Sequence, residues 1–148
     1  TRQAMSAFVY RLAGKELGPN PTCATAPFPD VPTGHSFCGE ITWVADEGIT
    51  TGYADGSFRP GIAISRQAMA AYLYRLSGSP RGADPECSVD QFADVPVGHP
   101  FCGEVDWMVD SGLTEGYPDG TFKPTAPITR QTMAAFLFRY NILTGWVE

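Results

Sequence analysis

Long apolar runs and clusters of basic residues are both missing from this 148-residue chain. No stretch approaches the roughly 20 apolar residues that a membrane-spanning helix needs, and no signal peptide is visible. Lysine and arginine number 10 against 16 acidic residues, which gives a net charge of −6. This balance argues against nucleic acid as a partner, because phosphates need clustered positive charge.

The residue pairings that carry catalysis are missing too. Glu40 and Glu104 stand without a marked partner acid, and no nucleophile is placed with a base. Asp55-Gly56 and Asp119-Gly120 lack the alternating carboxylates of a calcium loop. We therefore expect a protein that is not an enzyme and that uses no cofactor or metal.

What the chain does contain is one motif, Ser/Thr-Arg-Gln followed by an apolar pattern, in three copies. The copies begin at Thr1, Ser65 and Thr129 and are 64 residues apart. A fixed long period is the signature of a repeat architecture. The period divides the chain into a truncated repeat and two full repeats: 1–20, 21–84 and 85–148. Since position 1 falls inside a repeat, we expect a longer parent protein.

Each copy of the motif predicts an α-helix. A hydroxyl side chain stands at the N-cap, and apolar residues follow at helical spacing, as in Met69, Tyr72 and Leu73. Gly14 and Gly78 mark the predicted ends of the first two helices. After the third, we expect a short tail, 141–148, in which Trp146 folds back. Three helices with one apolar face each bury those faces most simply against one another.

Between these helices, each full repeat carries a proline-rich loop, a short helix and a turn. The predicted loops and short helices are 21–34, Ser36–Glu47, 85–98 and Pro100–Ser111. An Asp-Gly pair between short β-formers, in 49–60 and again in 113–124, signals a tight turn. The pattern predicts a turn or a short β-bridge rather than a sheet, and therefore an all-α fold.

The four cysteines follow the same period, since Cys23 and Cys38 recur as Cys87 and Cys102. Four cysteines allow three pairings, and the repetition favours Cys23–Cys38 with Cys87–Cys102. Each such disulfide would stabilise the fold by about 3 kcal/mol and would imply an oxidising, extracellular setting. The alternative is a zinc site in which each pair is joined by the histidine three residues before its second cysteine.

Three sequence blocks of each full repeat together resemble the S-layer homology repeat. They read Phe-x-Asp-Val-Pro-x-Gly-His, then Gly-(Ile/Leu)-Thr-x-Gly-Tyr-x-Asp-Gly-(Ser/Thr)-Phe-x-Pro, then Ile-(Ser/Thr)-Arg. The blocks stand at 28–35, 48–60 and 64–66 in one repeat and at 92–99, 112–124 and 128–130 in the next. The first motif helix matches as the end of a truncated repeat.

The resemblance implies a single domain over 1–148 with pseudo-threefold arrangement. Three long helices would form a central bundle, and the short helices and turns would form lobes around it. The resemblance also implies secretion to a bacterial cell surface and noncovalent anchoring to the cell wall. The implied partner is an acidic, often pyruvylated, secondary cell-wall polysaccharide bound in grooves between repeats.

By motif position, the resemblance places one arginine in each groove to meet the glycan: Arg2, Arg66 and Arg130. The other predicted glycan-binding residues are the loop aspartates, the turn residues and the glutamines beside the arginines: Asp30, Asp94, Gly52, Tyr53, Gly116, Tyr117, Gln67 and Gln131. The alternative for the arginines is bracing of loop carbonyls or pairing with the aspartates. The alternative for the tyrosines, as for Trp43 and Trp107, is a place in the core.

A second set of arginines lies nine residues further along each motif helix: Arg11, Arg75 and Arg139. Nine residues is half a turn out of phase at 3.6 residues per turn. We therefore expect these arginines not to share a groove with the first set.

The chain departs from the family pattern beside the first set of arginines, where Ala4, Ala68 and Thr132 replace the usual glutamate. The alternative function is a self-assembly or protein-docking module of a cell-surface protein without glycan binding. Self-association would then use the incomplete first repeat.

Overall fold

The computed structural model describes residues 1–14 and 21–145. This described part is all-α, as predicted, with five helices and no strand. The helices are α1 (Arg2–Leu12), α2 (Cys38–Asp46), α3 (Arg66–Leu76), α4 (Cys102–Asp110) and α5 (Arg130–Thr144). We call α1, α3 and α5 the motif helices. None of the described helices is long and apolar enough to cross a membrane.

The chain divides into two compact units, Thr1–Ile64 and Ser65–Glu148. Each unit pairs a motif helix with the lobe that follows it, where a lobe is the loop, short helix and turn between two motif helices. In unit 1, α1 packs on α2, and in unit 2, α3 packs on α4. Unit 2 also contains α5. The pseudo-threefold bundle and the single-domain assignment stay predictions.

Hydroxyl N-caps start all three motif helices, as predicted from the sequence. The side-chain oxygen of Ser65 accepts a hydrogen bond from the Ala68 amide at 3.3 Å, and that of Thr129 accepts from the Thr132 amide at 3.1 Å. Thr1 makes the same contact with Ala4 at 3.4 Å. These bonds satisfy amides that the first helical turn leaves free, so the helix starts are fixed locally.

The tail predicted for 141–148 is wrong in its first half. α5 continues to Thr144 and is capped by Gly145 in the left-handed conformation, with φ of 71°. Residues 141–144 contain neither proline nor glycine, so the helix continues until the first residue that favours a left-handed cap. The prediction for Trp146 lies outside the described residues.

The short helices begin later than the sequence suggests. Pro100 lies in the turn before α4 and not in its first helical turn. His99 sets this turn, because its carbonyl accepts from the Cys102 amide at 3.0 Å and its Nδ1 accepts from the Phe101 amide at 3.2 Å. His35 holds the turn before α2 in the same way. The two histidines thus tie the ends of the loops to the starts of the short helices.

Both predicted disulfides are present, Cys23–Cys38 and Cys87–Cys102, each with 5.7 Å between the Cα atoms. The sulfurs are bonded to one another and so do not form the alternative zinc site. The residue after the second cysteine of each disulfide is a glycine, and the backbone of a loop proline packs closely against it. A Cβ on Gly103 would lie 1.9 Å from the carbonyl oxygen of Pro85. The proline-rich loop is therefore held directly against α4, and its twin is held against α2 in the same way.

Candidate functional site

A tight turn in unit 2, residues 113–123, forms one side of the candidate site. The Tyr117 amide donates to the Thr121 carbonyl at 2.8 Å, and the Gly116 amide donates to the Thr114 side chain at 3.1 Å. Gly116 has φ of +71°, and a Cβ there would lie 2.1 Å from the ring of Phe92. Only glycine fits this position without displacing the ring. The packing of the ring against Gly116 therefore fixes the backbone conformation of the turn. The corresponding turn in unit 1 contains Gly52 and Tyr53 in the same conformation.

The loop aspartates brace these turns through the backbone. Asp94 accepts from the amides of Phe122 and Lys123, both at 2.8 Å, one with each carboxylate oxygen. Asp30 accepts from the amides of Phe58 and Arg59 at 2.9 and 2.7 Å. Desolvation pushes the pKa of Asp30 upward, but hydrogen bonds from backbone amides, first those of Phe58 and Arg59, outweigh it and hold the pKa below its usual value. The two aspartates are thus engaged with backbone; their glycan contacts stay a prediction.

The first arginine of α3 is buried against the same turn. Arg66 is 4% exposed, and its Nε donates to the carbonyl of Phe122 at 2.6 Å. Its Cζ lies 4.6 Å from the ring centroid of Phe122 and 4.8 Å from that of Tyr117. Burial lowers the pKa of Arg66, which stays positively charged at neutral pH. The predicted alternative, bracing of a loop carbonyl, is therefore observed.

Unit 1 repeats this arrangement around its own turn. Arg2 is 7% exposed, and its Nε donates to the carbonyl of Phe58 at 2.7 Å. Its Cζ lies 4.6 Å from the ring centroid of Phe58 and 4.8 Å from that of Tyr53. The repetition shows that arginine, turn and aromatic rings form one structural module.

A cavity of about 400 Å³ lies in unit 2 between this module and α5. We call it the unit 2 cavity. One wall comes from α3 and the turn, and the other comes from α5. Its lining residues are Arg66, Thr114, Glu115, Gly116, Tyr117, Gln131, Thr132, Ala135, Phe136 and Arg139.

The cavity brings together four of the predicted glycan-binding residues: Arg66, Gly116, Tyr117 and Gln131. Asp94, Gln67 and Arg130 do not line it. The backbone N–H of Gln67 donates to the carbonyl of Pro124 at 2.9 Å, and Arg130 is exposed at the start of α5. The remaining predicted residues, Arg2, Asp30, Gly52 and Tyr53, belong to unit 1. The assignment of these residues to glycan binding stays a prediction.

The expectation that the second set of arginines avoids such a site is wrong for Arg139, which lines the same cavity as Arg66. The phase argument holds along one helix, but Arg66 comes from α3 and Arg139 from α5. Nη1 of Arg139 donates to the carbonyl of Leu113 at 2.9 Å, which places it beside the turn. The implied position of the grooves, between repeats, was the signal that residues of two helices would meet.

The side chains of the cavity suit the binding of an anion. Its formally charged residues are Arg66, Arg139 and Glu115, so positive charge exceeds negative in a protein of net charge −6. Tyr117 adds an aromatic ring, with Nζ of Lys123 4.1 Å from its centroid. Guanidinium groups suit carboxylates and phosphates, and aromatic and amide groups suit sugar rings and hydroxyls. The cavity can therefore accept an anionic, hydroxyl-rich ligand.

The chain is similar in sequence to several proteins named as cell-surface, anchoring or S-layer proteins. The chain is 28% identical over 143 residues to the cellulosome-anchoring protein of Acetivibrio thermocellus, covering 94% of this chain and 31% of that protein. It is 35% identical over 89 residues to cell surface glycoprotein 1 of the same organism, covering 60% of this chain and 4% of that protein. It is 28% identical over 116 residues to S-layer protein EA1 of Bacillus anthracis, covering 78% of this chain and 13% of that protein. The chain thus spans less than a third of each relative.

The family model described as the S-layer homology domain matches residues 27–70 and 91–134, more than half of the chain. The two matches coincide with the two full repeats found in the sequence, and each includes a loop, a short helix, a turn and the start of a motif helix. The family is a non-enzymatic module, in agreement with the absence of a catalytic pairing in the sequence. The chain belongs to the S-layer homology domain family.

Proposed function

We propose that this chain is a noncovalent cell-wall anchoring module at a bacterial surface. Its ligand is an acidic secondary cell-wall polysaccharide, and the unit 2 cavity binds one anionic sugar segment. The relatives are named as cell-surface, S-layer and cellulosome-anchoring proteins, which supports an anchoring role. The two disulfides suit an extracellular setting.

The observation that carries the proposal is the composition of the unit 2 cavity. Two guanidinium groups, a tyrosine ring, a glutamine and a glycine turn share a space of about 400 Å³. This volume falls within the range of small-ligand sites and suits one or two sugar units. The backbone of the turn is fixed by Asp94 and Gly116, so the wall is organised before a ligand arrives.

Sedimentation with purified cell-wall sacculi tests the function. We expect the protein to co-sediment with sacculi that retain the secondary polysaccharide and to stay in solution with sacculi from which hydrofluoric acid has removed it. Equal sedimentation with both preparations would contradict polysaccharide binding, because the peptidoglycan alone would then suffice.

Two adjacent alanines of α5 allow the site itself to be tested. Ala135 lines the unit 2 cavity, whereas Ala134 is exposed on α5 outside it. Ala135→Glu places bulk and negative charge in the cavity and should reduce co-sedimentation at least tenfold. Ala134→Glu adds the same group to the same helix and should leave co-sedimentation unchanged. Equal behaviour of the two variants would place the binding site elsewhere.

A second function, protein docking, is favoured by one specific observation on α5. Phe138 is 64% exposed and Ile142 is 56% exposed, and with Ala134 they form an apolar stripe at helical spacing. The corresponding face of α3 is covered by the lobe of unit 2. The stripe would accept a further lobe of the same kind, from another chain or from another part of a longer protein.

Light scattering at increasing protein concentration separates the two functions. A docking module that uses this stripe for self-association should form oligomers, and Phe138→Ser should return it to the monomer without affecting sedimentation with sacculi. A monomer at all concentrations, with intact binding to sacculi, would leave anchoring as the function of this chain.

A further inference from the structure

The two arginines of the unit 2 cavity are held in very different ways. Arg66 reaches the cavity from the first turn of α3, and Arg139 reaches it from the tenth residue of α5. Their side chains have the same chemistry, so the difference in how they are held determines which one can change partner when a ligand binds.

Arg66 is built into the wall of the cavity. Its Nε is committed to the Phe122 carbonyl, and its Cζ lies within 5.4 Å of three ring centroids, those of Tyr117, Phe122 and Phe136. At 4% exposure it has almost no freedom to follow a ligand. If its hydrogen bond were given up, the buried Phe122 carbonyl would be left without its partner, which is unfavourable.

Arg139 is exposed and attached at one point. In the described part of the chain, its side chain makes one hydrogen bond, from Nη1 to the Leu113 carbonyl. A guanidinium group carries five N–H donors, so most of its donors remain for a ligand. The bond to Leu113 fixes the end of the long side chain near the turn and reduces the entropy lost on binding.

The charges around Arg139 leave its positive charge unneutralised. Among the described residues, the ion pairs involve Arg59, Arg81 and Lys123. Glu115 is the acidic residue of the cavity, and no ion pair within 4.0 Å joins it to Arg139 in this part of the structure. Arg139 therefore lines the cavity as a cation that can still form an ion pair with a ligand.

We propose that Arg139 pairs with the anionic group of the ligand in the unit 2 cavity, while Arg66 holds the wall. The anionic group is an oxyanion, carboxylate or phosphate, on a sugar residue, because both match the planar donor set of arginine. This inference rests on the proposed function, since it names the contact by which the polysaccharide is held.

The test measures binding of the soluble purified polysaccharide to three variants by calorimetry. Arg139→Gln should weaken binding about tenfold and make the affinity less dependent on salt, since one ion pair is lost. Arg139→Lys keeps the charge and should recover part of the affinity. Arg11→Gln is the matched control, because it removes an exposed arginine at the same repeat position of α1 and should bind like the unaltered protein.

Chemically altered polysaccharide distinguishes pairing from a positioning role. One sample has its carboxyl groups reduced to alcohols, and another has its phosphate removed by hydrofluoric acid. If Arg139 pairs with the anion, the difference between the unaltered protein and Arg139→Gln should vanish with whichever sample has lost that anion. A tenfold difference that persists with both samples would overturn the proposal, because it would show that Arg139 acts through the fold.

The remaining outcomes separate this inference from the proposed function. If the unaltered protein binds and Arg139→Gln binds equally well, the inference fails and the anchoring function stands. If the unaltered protein does not bind the native polysaccharide, both fail.

Discussion

α3 and α5 begin with nearly the same sequence but lie in different surroundings. Arg66, Ala70 and Tyr74 of α3 are buried, with Ala70 and Tyr74 fully inaccessible. Their counterparts in α5 are Arg130, Ala134 and Phe138, all of them exposed. The inward faces agree, since Met69 and Met133 are both buried. The two helices thus differ on the face that a following lobe would cover.

The cause of the difference is visible around Tyr74. Its ring meets Trp107 of α4 edge-on at 5.5 Å, and its hydroxyl donates to the Gly82 carbonyl at 2.7 Å. Both partners belong to the segment that follows α3. Burial of the arginine face is therefore a property of helix and lobe together, and the motif alone does not produce it.

Tyr74→Ala and Phe138→Ala should give the largest contrast between the two helices. Tyr74→Ala removes a fully buried ring and should lower the free energy of unfolding by roughly 3–5 kcal/mol. Phe138→Ala removes an exposed ring and should change it by no more than about 0.5 kcal/mol. Chemical denaturation of both variants provides the measurement. Comparable losses would show that the outer face of α5 is covered in solution.

Arg66→Ala and Arg130→Ala should differ by a smaller amount. Arg66→Ala leaves the buried Phe122 carbonyl without a charged donor and should cost about 1.5–3 kcal/mol. Arg130→Ala should stay within about 0.5 kcal/mol. Thermal unfolding checks both values. Arg66→Lys is a useful companion, since lysine lacks the planar group that lies beside the rings and should not restore full stability.

Replacement of Ala70 or Ala134 by leucine should change the free energy of unfolding by different amounts in the two helices. This difference should be about as large as that between the two arginine variants, or smaller. Ala70 is fully buried, so Ala70→Leu should force neighbours apart and cost roughly 1–3 kcal/mol. Ala134→Leu places the same side chain in solvent, where it should be nearly neutral. Urea midpoints of the two variants report the difference. A neutral Ala70→Leu would mean that α3 and its lobe can separate at little cost.

Removal of the N-cap hydroxyl should destabilise α3 and α5 by the same amount. Ser65→Ala and Thr129→Ala each remove one hydrogen bond to an amide of the first turn and should each cost about 1 kcal/mol. Thr129→Ala also removes a contact with the Thr132 hydroxyl at 2.9 Å, which is exposed and should add little. The costs should agree because capping is local and does not depend on a lobe. Circular dichroism during thermal unfolding measures both. A cost for Thr129→Ala that is absent for Ser65→Ala would show that α5 depends more on its own start than α3 does.

Features determined by neighbouring residues were predictable from the sequence. The start of each motif helix follows from a hydroxyl and the amide three residues later, and the disulfides follow from the period that repeats the cysteines. The glycine turn was recognised as well, although its reason is tertiary: the ring of Phe92 fills the space that a Cβ on Gly116 would need.

Features that depend on distant residues were not predictable in the same way. Pro100 suits a first helical turn, but the hydrogen bonds of His99 hold the chain in a non-helical turn at that point. Arg139 was judged by its phase on its own helix, whereas its place in the cavity depends on α3 and the turn. The different surroundings of Arg66 and Arg130 likewise follow from packing that the shared motif does not encode.

The two-walled construction of the unit 2 cavity has a consequence for truncated forms of this protein. One wall is complete by residue 123, and the other begins only after Thr129. A fragment that stops between the two would retain a whole lobe, its disulfide and its braced turn, yet would lack the α5 wall of the cavity. Under the proposed function, deletion of α5 alone would therefore remove the binding site of unit 2.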